Sequence, residues 1–155
     1  MKAAGRGGRG RSALLLVDFI NPMDFAGAHA LAPRPLAAAA AAARLKSRLK
    51  RNRVPVIYAN DNFGAWRADF AMIVDACRRG VPAARKLVAT IGPVDDDLSI
   101  LKPRHSAFFG TPLEFLLDEP HINQLIIAGL TTDNCVMFTA HDADLRKLAV
   151  FVPSN

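Results

Sequence analysis

Cysteine is nearly absent: the chain has only Cys77 and Cys135 among 155 residues. That excludes the disulfide-dense scaffold of small secreted domains, and two thiols cannot complete a four-ligand zinc site. The four histidines, His29, His105, His121 and His141, are scattered, with no pair at i, i+4 spacing. No apolar run approaches the ~18 residues of a membrane span. The run Ala13 to Val17, behind a basic N-terminus, is too short for a secretory core. A soluble, cytoplasmic protein with reduced thiols and no membrane partner is expected.

What is present fits one folded domain. The apolar share is 51%, too high for a disordered chain. The net charge of +6 is placed unevenly. Lys2, Arg6, Arg9 and Arg11 precede the first apolar run, and without them the balance is 16 basic against 14 acidic residues. Residues 1–12 therefore read as a disordered basic tail and 13–155 as a single domain. Such a tail attracts nucleic acid only non-specifically, so no specific nucleic-acid partner is expected. Gly5, Gly7 and Gly10 match G-x-G-x-x-G but precede the first strand, whereas a dinucleotide loop follows one.

Ala13 to Val17, ending at Asp18, is a continuous apolar run and predicts a strand buried on both faces. Asn21-Pro22 marks a turn. An alanine-rich helix is predicted from Pro35 to Arg51, with proline at its start and basic residues at its end. Further strands are predicted at Val54–Ala59, Leu98–Leu101, Gln124–Ala128 and Ala149–Val152. Helices are predicted at Asp69–Arg79 and Pro82–Ala89. Another should run from Thr111-Pro112 to Leu117, with Thr111 and Glu114 as a capping box. A last helix, capped by Asp133 or Asn134, should reach Lys147. Strands alternating with helices imply a three-layer α/β/α, Rossmann-like fold with a mostly parallel sheet of five or six strands.

In such sheets, ligands bind beyond the carboxyl ends of the strands. Asp18 follows the first strand, Lys102 ends the third, and Cys135 lies a few residues after the fourth. A helix N-terminus and a nearby lysine lower a thiol's pKa, and a carboxylate can move protons to and from it. Backbone amides at Thr131 and Cys135 can form an oxyanion hole. Taken singly, each residue has a plainer reading: a small buried thiol, a capping aspartate, a solvated lysine.

Three segments in order shift that balance. They are Leu14-Leu15-Leu16-Val17-Asp18-Phe19-Ile20-Asn21, Leu101-Lys102-Pro103-Arg104-His105-Ser106-Ala107-Phe108-Phe109-Gly110-Thr111 and Ala128-Gly129-Leu130-Thr131-Thr132-Asp133-Asn134-Cys135-Val136. Together they resemble the isochorismatase-like cysteine hydrolases, from about residue 13 to the end. The resemblance implies Asp18 as general base, Lys102 as support for the thiolate, Cys135 as the nucleophile of a thioester mechanism, and a cis peptide at Leu130-Thr131. It implies a small-molecule substrate and C–N bond hydrolysis.

The resemblance has two departures. Nicotinamidases of the superfamily carry Asp-x-His-x-His after the second strand, where this chain has Asn60-Asp61-Asn62-Phe63. Neither metal nor other cofactor is therefore expected. The family also continues beyond the fifth strand, so the chain reads as truncated or degenerate at its C-terminus. Phe19, Asn21, Phe25, Asn60, Trp66, His105 and Phe108 are candidate substrate contacts, suited to a small planar or carboxylated amide. A homo-oligomer is expected. The alternatives are isochorismatase-type vinyl ether hydrolysis through Asp18 without the thiol, and a catalytically silent binding or assembly member.

Overall fold

The computed structural model describes residues 11–154. Ten of the residues assigned to the tail, 1–10, lie outside them. The other two do not belong to a tail. Arg11 and Ser12 already pair with the sheet, and the Ser12 hydroxyl donates to Gln124 Oε1 at 2.8 Å.

Five parallel strands form one sheet in the order β3-β2-β1-β4-β5, with β1 at Arg11–Val17, β2 at Val56–Asp61, β3 at Leu98–Lys102, β4 at Ile122–Gly129 and β5 at Ala149–Phe151. The central place of β1 explains its unbroken apolar run, because both faces need cover. Leu14 and Leu16 pack towards one layer with Tyr58, Leu87 and Ile91. Ala13, Leu15 and Val17 pack towards the other with Leu113, Leu125 and Ala143. The first layer holds α2 (Pro33–Arg51), α3 (Phe70–Arg79) and α4 (Pro82–Ile91). The second holds α5 (Leu113–Asp118) and α6 (Met137–Leu145).

Several boundaries differ from the sequence reading. A separate turn of helix, α1 (Ala28–Leu31), precedes α2, which starts at Pro33. Strand β2 starts later and reaches Asp61, because pairing with β3 continues to Lys102. The capping box at Thr111 does not form. The Thr111 hydroxyl bonds to Ala107 O and accepts from Leu113 N, and α5 begins only at Leu113. The last helix is also not capped by Asp133 or Asn134. It opens with a π turn, Thr132–Val136, in which Thr131 O accepts from both Asn134 N and Val136 N at 3.3 Å.

At the amino end of the sheet, Lys46 of α2 is buried. Its ammonium bonds to Asp97, Tyr58 OH and Gly92 O, while Lys50 reaches the other oxygen of Asp97 at 2.7 Å. These bonds tie α2 to β2 and to the loop before β3, at the end of the sheet opposite the residues considered next.

Candidate active site

Strand order reverses around β1, because β2 and β4 leave on opposite sides of it. That reversal opens a crevice at the carboxyl edge. Asp18 leaves β1 on one side of it, and the turn bearing Cys135 leaves β4 on the other. Close approach is required here. A Cβ on Gly129 would fall 2.5 Å from Val17 O, so only glycine lets β4 run on to the Leu130 N–Val17 O bond of 3.0 Å.

Asp18 sits in the left-handed region at φ 55°, a conformation disfavoured by roughly 1 kcal/mol or more for an L-residue. The end of β2 holds it there. Asp18 N donates to Ala59 O at 3.1 Å, and Asp61 N donates to Asp18 Oδ1 at 2.7 Å. Asn60, with no exposed surface, accepts from Ile20 N at 3.1 Å and donates to Ile20 O at 2.8 Å.

Lys102 Nζ lies 2.8 Å from Asp18 Oδ2 and 3.5 Å from Cys135 Sγ. Its whole side chain is buried, so the solvated reading of this lysine fails. Burial pushes the Asp18 carboxyl above its ordinary range, with Lys102 opposing. Burial, and then the Asp18 carboxylate, push the Cys135 thiol up to about 11 against the pull of Lys102. This reverses the expected lowering of the Cys135 pKa. Desolvation and a carboxylate outweigh one ammonium that is already shared with two acids, and Cys135 lies inside a π turn rather than at the first turn of an α-helix. At rest Cys135 is a protonated thiol beside the Asp18 carboxyl group.

The Leu130–Thr131 peptide is cis, where the resemblance placed it. Thr139, fully buried, donates its hydroxyl to Cys135 O at 2.7 Å and accepts from Ala107 N at 3.0 Å. It thereby locks the turn bearing Cys135 to the loop after Lys102. The signal for Thr139 available in the sequence was its spacing of four from Cys135.

The remaining candidates divide. Asn60 is enclosed and spent on Ile20, so it is a clamp and not a substrate contact. Phe19 is core. Phe108 is also core, with Arg146 over its ring at 4.7 Å. Asn21 Oδ1 accepts from Met23 N at 2.9 Å and shapes its own turn. Trp66 is 79% exposed, and His105 stacks on Phe138 at 5.4 Å. Phe25 and Thr131 line a groove of about 1020 Å³ between α2 and the end of β4. Asp18, Lys102 and Cys135 do not line that groove, although Thr132, Asp133 and Val136 of the turn bearing Cys135 do.

A nicotinamidase-type metal does not fit the residues after β2. Asn62 Oδ1 is engaged by Gly64 N at 2.9 Å, and Phe63 offers no ligand atom. Among the described residues, no three His, Cys, Asp or Glu side chains group as a metal site. Among them, too, no helix is long and apolar enough to cross a membrane.

The model of the isochorismatase domain matches residues 12–155. The isochorismatase family protein YaaI of Bacillus subtilis (strain 168) is 36% identical over 143 residues, covering 92% of this chain and 78% of that protein. Enterobactin synthase component B of Escherichia coli (strain K12) is 34% identical over 116 residues, 73% of this chain but only 41% of the larger protein. Among solved structures, the nicotinamidase of Staphylococcus aureus superposes with a TM-score of 0.63 at 26% identity, covering 94% of this chain and 82% of that one. The chain belongs to the isochorismatase family of hydrolases.

Proposed function

We propose that the chain hydrolyses a C–N bond of a small amide-type substrate through a thioester on Cys135. The observation that carries this reading is the placement of one enclosed ammonium, Lys102 Nζ, against both Asp18 and the Cys135 sulfur. Similarity to a nicotinamidase supports it. Asp18 takes the thiol proton as sulfur attacks the carbonyl carbon, and backbone amides at Thr131 and Cys135 receive the oxyanion. The tetrahedral adduct collapses, and the departing nitrogen takes the proton from Asp18. Water then attacks the thioester and gives a proton to Asp18. The acid leaves and the sulfur regains its proton. Lys102 keeps Asp18 ionised in a buried setting and so preserves it as a base. No step calls for a metal.

The test is a screen of small primary amides and ureides with wild type and Cys135→Ala. Turnover by wild type that Cys135→Ala loses supports the reading. Turnover retained by Cys135→Ala, or turnover only of a vinyl ether included in the panel as a control, overturns it in favour of Asp18 acting without the thiol. A folded wild type inert to the whole panel favours a silent member.

A further inference from the structure

Asp61 is a carboxylate that the thioester scheme leaves unused. It ends β2 in register with Lys102 on β3, so the two side chains meet at the carboxyl edge. Asp61 Oδ1 accepts from Phe63 N at 2.6 Å, which fixes the orientation of the group. Its Oδ2 lies 3.8 Å from Lys102 Nζ, beyond hydrogen-bond reach. Among the described residues, no hydrogen bond reaches that oxygen. The Asp61 side chain is 34% exposed, against 8% for Asp18 and none for Lys102. Asp61 is therefore the carboxylate of this cluster that an entering molecule meets.

The spacing suits an amide. Oδ2 and the Cys135 sulfur both lie within 4 Å of the same nitrogen, so they are at most about 7 Å apart, inside the ~8 Å Debye length of physiological salt. An attack distance of ~3 Å, a C–N bond of ~1.3 Å and a hydrogen bond of ~2.9 Å reach at most about that far end to end and less when bent, so an amide fits between the two groups. Two acidic side chains, Asp18 and Asp61, thus stand around the one ammonium that faces the thiol.

We infer that Asp61 determines specificity: its open oxygen accepts an N–H of the scissile amide or ureide, and its charge turns away substrates carrying a carboxylate beside the reacting carbon. The substrate class is then a neutral primary amide or ureide at the reacting end, narrower than the planar or carboxylated amides suggested by sequence. This rests on Cys135 being the reacting atom, but its test needs no turnover.

The probes are iodoacetamide and iodoacetate, a neutral amide and a carboxylate of nearly equal size. Cys135 is alkylated with each at pH 9 and low salt, and its modification is followed by peptide mass, with a free cysteine peptide as reference. Relative to that peptide, wild-type Cys135 should favour iodoacetamide by roughly fivefold, the scale of one charge acting over this distance. Asp61→Asn should abolish the preference, Asp61→Glu should keep it, and high salt should shrink it in wild type. Buried Cys77 reports unfolding, because it alkylates as fast as Cys135 only if the fold opens. Should Asp61→Asn unfold, the salt response of wild type decides. A wild-type ratio equal to that of the free peptide, one indifferent to salt, or one unchanged in folded Asp61→Asn overturns the inference. Failure of the thioester reading shows up separately, as turnover retained by Cys135→Ala.

Discussion

The carboxylate of Asp18 rests 2.8 Å from the ammonium of Lys102, and the lysine side chain has no exposed surface. Each charge is tolerable in that position only because of the other. Burial still wins on the acid, whose carboxyl lies above the ordinary range. If Asp18 is the base, kcat/KM rises with pH through a value above ~4, the usual carboxylate pKa. Lys102→Met removes the opposing charge and should move that limb to higher pH while cutting kcat/KM by a hundredfold or more. A pH–rate profile of both proteins checks this, and an acid limb unmoved in Lys102→Met argues against it.

Cys135 should alkylate faster than Cys77 at pH 7. Both thiols are held near 11, so ionisation does not separate them, but Cys77 is fully buried and Cys135 is not. Asp18→Asn should speed alkylation of Cys135, because the carboxylate disfavours the thiolate. Lys102→Ala should slow it. Iodoacetamide labelling against pH, resolved by peptide, measures all three; equal rates at the two cysteines refute the first expectation.

The raised thiols also shape alkaline stability. Folded pKa values of about 11 stand above the ordinary 9.0, so the stability they contribute is complete below pH 9 and is lost as pH climbs towards 11. Melting temperature should fall across that window. Cys77→Ala should melt lower at neutral pH but with a shallower alkaline decline. A decline as steep as that of wild type would place the effect elsewhere.

At the opposite end of the sheet, burial pushes the Asp97 carboxyl up, but bonds from Lys46 and Lys50 outweigh it and hold it below the ordinary range. Its contribution is therefore present above pH ~4 and lost as pH falls through the lowered value. Asp97→Ala leaves the Lys46 ammonium short of its anion and should cost about 3 kcal/mol. Denaturant unfolding at pH 7 measures it. A loss under ~1 kcal/mol would show that Tyr58 and Gly92 suffice.

Exhaustive chelation should leave turnover unchanged, since Asn62 and Phe63 supply no ligand beside Asp61. Activity lost to chelator and restored by zinc, iron or manganese contradicts this.

Sequence alone carried much of the fold. An unbroken apolar run such as Ala13–Val17 admits few readings in a chain where such runs alternate with helical periodicity, so the α/β class was legible. So were Asp18, Lys102 and Cys135 as residues after strands, because chain position at a strand end is a one-dimensional fact. Strand partners are not. Only the parallel pairing of β2 with β3 sets Asp61 against Lys102, and only the fold spends Asn60 on Ile20 forty residues away. The thiol's ionisation was misjudged from sequence, which weighed a lysine and a helix start above a carboxylate and expected a lowered pKa. Burial decided it. Desolvation depends on how much of the chain surrounds an atom, and that quantity exists only in three dimensions.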